Sequence, residues 1–343
     1  MTATIDPAAL AAMLESYTLG PLERVLDNGL SVNSATCLFE TSSGVYFAKR
    51  LAPADWQWPI LEAEHRLSVA LGEAGYPTPR LQRDRRGATL SRHGEFAYAI
   101  SECARGEDRY RGVPVFASFA SSAEAEAAGS MLARFHRALA PLQLPERPFR
   151  GLVARYELLR DPELRGLETL LAENPTLADF VARRPEWPAL VARMAELART
   201  IAPRLNACPR GVIHGDFIKR NLFWEDARIV DVVDFDLWNV GHWVFDLALA
   251  LLPCGFDWPG LLAGRGEPRG AQLAAMLHGY ASVRPLDRTE RELLPLVMET
   301  ARFEFYLSAI AAKPEQTELF WRLLDGTTRW FATHLGWSRV LQG

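Results

Sequence analysis

The stretch from Gly211 to Leu252, GVIHGDFIKRNLFWEDARIVDVVDFDLWNVGHWVFDLALALL, constrains this 343-residue chain more than any other. An apolar run, Gly211-Val212-Ile213, leads into His214-Gly215-Asp216, and Asn221 follows five residues after the aspartate. A second strand-like run, Arg228 to Val233, delivers Asp234-Phe235-Asp236. The order is strand, polar loop, strand, polar loop. A helix from His242 to Leu252 comes next, nearly all apolar except for Asp246. A carboxylate inside such a helix is costly unless it is hydrogen-bonded.

Polar loops of this kind suit phosphoryl transfer, which asks little of a protein beyond positioning and charge. It needs a carboxylate to orient or deprotonate the attacking hydroxyl, and oxygen ligands for Mg²⁺ on the nucleotide phosphates. Asp216 fits the first task, Asn221 and Asp234 the second. Mg²⁺ takes few protein oxygens and fills its shell with phosphate and water, so one Asn and one Asp are a sufficient share. Asp is also a common turn residue. Three polar groups at these intervals, each placed just after an apolar strand, point to a site rather than to turn caps.

His-Gly-Asp-x4-Asn, with Asp-Phe-Asp thirteen residues after the Asn, resembles the aminoglycoside phosphotransferase and choline kinase family, which includes homoserine kinases of the second type. Gly215 stands where protein kinases carry the Arg of His-Arg-Asp. The resemblance implies an α+β, protein-kinase-like two-lobe fold, with a small β-rich N-lobe over residues 1–103 and a larger, mainly helical C-lobe over 104–343. It implies Asp216 as catalytic base, Asn221 and Asp234 as Mg²⁺ ligands, ATP or GTP as donor and a small-molecule hydroxyl as acceptor. By the same resemblance Asp246 braces the backbone of the His214 loop, and His214 supports that loop rather than touching substrate.

The amino-terminal half is read for the parts such a fold requires. A short helix over Pro7 to Ser16 leads, and a strand from Pro21 to Asp27 ends at Asp27-Asn28-Gly29, a turn signal. Ala35 to Thr41 and Val45 to Lys49 form a hairpin about Ser42-Ser43-Gly44, and Lys49 is the expected phosphate ligand. Gly29 to Ser34 resembles the Gly-x-x-x-Asn turn of small-molecule kinases, so backbone amides around Asn33 and Ser34 are expected to cover the phosphates. In the helix from Pro59 to Ala74, Ile60, Glu64, Leu67 and Leu71 share one face. Glu64 is therefore the expected partner of Lys49, whereas Glu62 pairs with Arg66 on the surface. Strands over Ala88 to Ser91 and Phe96 to Cys103 lead to a crossing between lobes near residues 101–106.

The rest reads as helices: Ala123 to Leu139 with His136 as a packed or hydrogen-bonded histidine rather than a catalytic one, Ala154 to Leu159, Leu164 to Glu173, and a helix through Leu190, Met194, Leu197 and Ile201 that Pro203 ends. Gln272 to Tyr280, Glu290 to Ile310 and Pro314 to Thr333 follow, with Trp321, Trp330 and Trp337 as core.

Composition removes other classes. The net charge of −4 disfavours a nucleic-acid partner. Four scattered cysteines without a CxxC pair suggest neither zinc nor a disulfide framework, and fit a reducing cytoplasm. The first twenty residues lack the basic start and apolar core of a signal peptide, and no run reaches the length of a membrane span.

The acceptor is open. An aminoglycoside would want acidic groups, for which Asp236, Asp257, Glu299 and Glu304 are candidates; homoserine would want an Arg, and Arg265, Arg269 and Arg302 are available. Lys219-Arg220, between the base and the Asn, either steadies the transferring phosphoryl group or faces solvent. The alternative function is a non-catalytic, pseudokinase-like nucleotide-binding regulator, disfavoured because every expected polar group is present. A protein kinase is disfavoured because no Ala-Pro-Glu segment follows Asp234.

Overall fold

The computed structural model describes residues 4–30, 34–54, 57–147, 158, 160–263, 267–334 and 336–341. The chain divides into two compact units. One comprises Met1–Glu107, Phe223–Glu225 and Val230–Val233; the other comprises Asp108–Leu222, Asp226–Ile229 and Asp234–Gly343. The first is built on a sheet and the second on helices, as expected for an α+β kinase-like chain.

The first unit holds an antiparallel five-stranded sheet in the order β1-β2-β3-β5-β4, formed by β1 (Leu22–Leu30), β2 (Ser34–Thr41), β3 (Gly44–Leu51), β4 (Leu90–His93) and β5 (Phe96–Glu102). One face is closed by α1 (Pro7–Leu14), whose Leu10, Met13 and Leu14 are buried with Phe39, Ala48 and Ile100. Side chains alternate across a strand. With Ala48 and Arg50 buried, Val45, Phe47 and Lys49 therefore share the other face of β3, where Phe47 keeps 37% of its surface exposed. Lys49 pairs with Thr36 on one side and Ala99 on the other. Helix α2 (Trp58–Glu73) buries Leu61, Leu67 and Leu71, and Gly75, at φ +69, lies just past its end.

The second unit contains α3 (Ser122–Ala138), α4 (Arg165–Glu173), α5 (Pro175–Ala182) and α6 (Trp187–Leu205). Four short strands follow in sequence, β6 (Arg210–Ile213), β7 (Leu222–Glu225), β8 (Arg228–Val232) and β9 (Asn239–His242), of which residues 223–225 of β7 and 230–232 of β8 belong to the first unit. They pair as β6 with β9 and β7 with β8. Helices α7 (Trp243–Gly255), α8 (Trp258–Leu262), α9 (Gly270–Val283), α10 (Arg288–Ala312) and α11 (Thr317–Thr333) complete it. α10 starts at a full capping box, Asp287 accepting from the Glu290 amide and Glu290 from the Asp287 amide. α3 and α9 approach closely enough that a Cβ on Gly129 would lie 1.9 Å from the Met276 carbonyl oxygen, and one on Gly279 2.0 Å from that of Glu126.

Two sequence expectations fail here. Asp27-Asn28-Gly29 is not a turn: β1 runs on to Leu30, with Asn28 opposite Cys37 and Gly29 opposite Thr36. The Asn28 side-chain amide accepts from the Ile5 N–H at 3.1 Å and donates to the Ile5 carbonyl at 2.8 Å. It thus stands in for a neighbouring strand, and a turn-forming residue is used as backbone glue. Pro203 does not end α6 either. A proline near a helix end forfeits one amide donor, and the buried Leu205 holds the last turn in place. Most of the short helix expected over Ala154 to Leu159 lies outside the described residues. Trp321 and Trp330 are buried, and Trp337 packs at 5.2 Å on Phe331. Among the described residues no helix is long and apolar enough to cross a membrane.

Candidate active site

Two loops meet because two strands pair. β6 and β9 run antiparallel with Ile213 directly opposite Asn239. The loop carrying Asp216 therefore leaves the sheet where the loop carrying Asp234 enters it. Gly215 lies between them at φ +78, and a Cβ there would sit 2.2 Å from the Leu237 carbonyl oxygen. Left-handed backbone and absent side chain are both needed. The glycine that replaces the kinase arginine is thus a condition of bringing the loops together.

The Asp216 loop is held from below by α7. Asp246, 0% exposed, accepts from the backbone N–H of His214 at 2.8 Å and of Gly215 at 3.0 Å. Nε2 of the equally buried His136 lies 2.9 Å from it. Burial alone would raise the Asp246 carboxyl, but these hydrogen bonds outweigh it and hold it below the ordinary value. Burial pushes His136 down as well. A neutral His136 thus donates from Nε2 to Asp246 and accepts at Nδ1 from the Tyr280 hydroxyl, 2.7 Å away. Tyr280 in turn accepts from Arg284, which pairs with Glu290 at 2.6 Å. The expected brace is in place, and behind it stands a buried polar chain reaching the capping box of α10.

His214 is wholly buried. Its ring packs against Phe135, Phe217 and Phe235, and Nδ1 accepts the Asp216 N–H at 3.3 Å. This is the supporting role expected of it.

Asp216 itself is half-buried. Burial first, then the Asp234 charge, push its carboxyl up to about 7, against a hydrogen bond from Asn221 that pulls it down. Asn221 donates through Nδ2 to the Asp216 carbonyl at 2.9 Å and to its carboxylate at 3.2 Å. Its amide oxygen is thereby turned away, with no donor among the described residues. Asp234 follows β8 in a left-handed conformation, φ +67, and is exposed. Among the described residues no cluster of three His, Cys, Asp or Glu side chains could cage a metal. One amide oxygen without a protein donor, on the buried Asn221, and one exposed carboxylate fit a hard divalent cation that shares its shell with phosphate oxygens and water.

The remaining candidates fall as follows. Lys49 is on the open face of β3, and its charge, after burial, helps push His65 of α2 down to about 4. Glu64, next to His65, is half-buried and Glu62 exposed. Ser34 opens β2 opposite Leu51 and is buried, while Asn33 lies outside the described residues. Of the acidic acceptor candidates, Glu299 is clasped by Arg193 through two 2.8 Å bonds and Glu304 is buried, accepting the Leu158 N–H. Asp236 and Asp257 remain partly open. Arg302 is buried against the Leu324 carbonyl and the Thr327 and Thr328 hydroxyls. Arg269 donates to the Phe116 and Cys254 carbonyls, and Arg265 lies outside the described residues. Neither Lys219 nor Arg220 is an idle surface cation: Lys219 is buried with its ammonium on the Ala117 carbonyl, and Arg220 grips the Val113 carbonyl at 2.8 and 2.5 Å.

Sequence reading missed three supports. Arg147 donates from Nη1 to the carbonyls of Asp236 at 2.6 Å and Trp238 at 2.8 Å, fixing the loop that bears Asp234. In the first unit, Asp231 is buried and accepts the Arg105 amide and guanidinium at 2.7 Å each, anchoring the segment after β5 where the crossing was expected. The third is the Tyr280–Arg284–Glu290 chain. A buried Asp in a β-strand, as at Asp231, was the one signal on offer.

The sequence profile described as the phosphotransferase enzyme family matches residues 27–293. A homoserine kinase of Acidiphilium cryptum (strain JF-5) is 27% identical over 338 residues, covering 92% of each chain. One of Methylobacterium radiotolerans is 27% identical over 314 residues, covering 89% of this chain and 86% of its own. Among solved structures, a microcompartment-associated aminopropanol kinase superposes with a TM-score of 0.64 at 18% identity, over 97% of this chain and 98% of that one. An amicoumacin kinase in complex with AMP-PNP, Ca²⁺ and its antibiotic does so with 0.64 at 15% identity, over 94% of each. The match over most of its length and the paired polar loops give one answer: the chain belongs to the phosphotransferase enzyme family and has the fold of its small-molecule kinases.

Proposed function

We propose that this kinase transfers the γ-phosphoryl group of ATP, with Mg²⁺, to the hydroxyl of a small amino-bearing metabolite, homoserine being the first candidate. The observation that carries the chemistry is Asp216: a carboxylate oriented by the Asn221 amide at 3.2 Å, on a loop that Asp246 holds by its backbone, with burial raising its pKa. A general base works best when its pKa lies near the working pH. Asp216 would orient the acceptor hydroxyl and take its proton. Asn221 and Asp234 would hold the divalent cation, which when bound screens the phosphate charge. Lys49, positioned by Glu64, would bind phosphate oxygens, backbone amides of the stretch ending at Asn33 and Ser34 would cover them, and the exposed ring of Phe47 on the same sheet face would carry the base.

The choice of acceptor rests on two supports. Relatives named homoserine kinases align over nearly the whole chain. The acidic side chains that would suit a polycationic aminoglycoside are in part withdrawn, Glu299 by Arg193 and Glu304 by burial. The test is nucleoside diphosphate release from Mg²⁺-ATP and Mg²⁺-GTP with homoserine, 1-amino-2-propanol, choline and an aminoglycoside panel. Release driven by homoserine or the amino alcohol supports the reading. Release driven only by aminoglycosides overturns the acceptor, and nucleotide binding without turnover on any acceptor supports a non-catalytic regulator instead.

A further inference from the structure

The turn that brings Asn221 into place is three residues long, Lys219–Asn221, closed by the Leu222 N–H on the Lys219 carbonyl and tied to Asp216 by the Asn221 side chain. The Asn221 N–H donates to the Ile218 carbonyl at 2.9 Å and the Ile218 N–H to the Asp216 carbonyl at 2.9 Å. Its outward anchors are two cationic side chains, and both reach one irregular segment. Lys219 puts its ammonium on the Ala117 carbonyl, with the face of the Tyr110 ring 5.4 Å away. Arg220 spans the Val113 carbonyl with two N–H groups.

That segment is itself fixed from the far side. Arg269 donates to the Phe116 carbonyl at 3.2 Å, Gln272 brackets Phe119 with bonds to both its N–H and carbonyl, and the Phe116 ring packs at 4.9 Å on Trp258. Residues 113–117 are thus held from the far side at Phe116, and the Asn221 turn is fastened to this segment at two points. A buried ammonium on a carbonyl and an aromatic face is a poor source of stability, because desolvation offsets the attraction; Met or Leu would fill the space as well. What the ammonium supplies is direction. We infer that Lys219 and Arg220 are positioning residues for metal binding, holding the turn so that the Asn221 amide oxygen points outward as a ligand. The inference rests on the proposed role of Asn221 and gives both cations a function other than contact with the phosphoryl group.

The test measures Mn²⁺ affinity of the full chain saturated with AMP-PNP, by electron paramagnetic resonance, so that no acceptor is needed. Lys219→Met and Arg220→Gln should weaken Mn²⁺ binding roughly tenfold, the cost usual for groups that orient a metal ligand. Lys219→Arg should recover most of it, and AMP-PNP affinity without metal should stay unchanged. Arg220 is exposed, so its variant keeps the test alive if Lys219→Met does not fold. Asn221→Ala is measured alongside. If it weakens Mn²⁺ binding while the folded cation variants bind as wild type, the positioning role is wrong and the site assignment stands. If Asn221→Ala itself binds Mn²⁺ as wild type, the site assignment falls and the inference with it.

Discussion

The two loops that meet at Gly215 are secured in opposite ways. The Asp216 loop hangs from inside the protein: its amides go to a carboxylate with no solvent exposure, and its histidine is sealed among phenylalanines. The Asp234 loop is secured by its carbonyls, gripped by the half-buried Arg147, and its aspartate is left exposed. The difference follows the tasks proposed for them. A base gains from desolvation, which raises its pKa toward working pH. A ligand for a hydrated cation must be reachable with its water shell, and a fixed backbone is all the protein needs to provide.

If this division is right, variants should separate by loop. The largest effect is expected from Asp216→Asn: turnover should fall by roughly 10³-fold or more, the upper part of the range for a general base, with AMP-PNP binding by calorimetry nearly unchanged. Retained turnover would remove Asp216 from the mechanism. Gly215→Ala, which forces a Cβ against the Leu237 carbonyl, should cost on the order of 10²-fold in kcat through misplacement of both loops. A wild-type rate in that variant would mean that the close approach is not required. Arg147→Met should act on the second loop alone, raising the Mg²⁺ concentration for half-maximal activity by roughly tenfold while kcat at saturating Mg²⁺ stays within a few-fold. An unchanged Mg²⁺ curve would show that the carbonyl grip does not serve the metal.

The smallest effect is on stability and has a defined sign. The Asp216 carboxyl is raised in the fold above its unfolded value of 3.8, so the folded state favours the protonated form. Stability from this group is present below pH ~4 and is lost as pH rises toward ~7. Free of metal and nucleotide, Asp216→Asn should therefore melt a few degrees above wild type at pH 8, and the gap should narrow at pH 5. A constant gap across that range would contradict the raised pKa.

What could be read from sequence divides along similar lines. Asp216, Asn221 and Asp234 are legible because their spacing is local, and Asp246 because a carboxylate in an apolar helix demands a partner. Arg147, Arg105 and the chain from His136 to Glu290 are not, since each acts on a segment far along the chain. No periodicity announces which of many arginines will find a carbonyl 89 residues away. Asn28 departs from its local signal for a related reason. Its local turn preference is real, but its amide was claimed by Ile5, and tertiary hydrogen bonding outweighed it. The roles of Lys219 and Arg220 stayed ambiguous for want of the 113–117 segment that receives them.

The glycine contact between α3 and α9 carries one more consequence. Neither helix tolerates a side chain at the crossing, and the pair also shares the bond between His136 and Tyr280. The two are one unit of exchange. A chimaera that imports α9 from a relative must import α3 with it, or carry a glycine at both crossing positions.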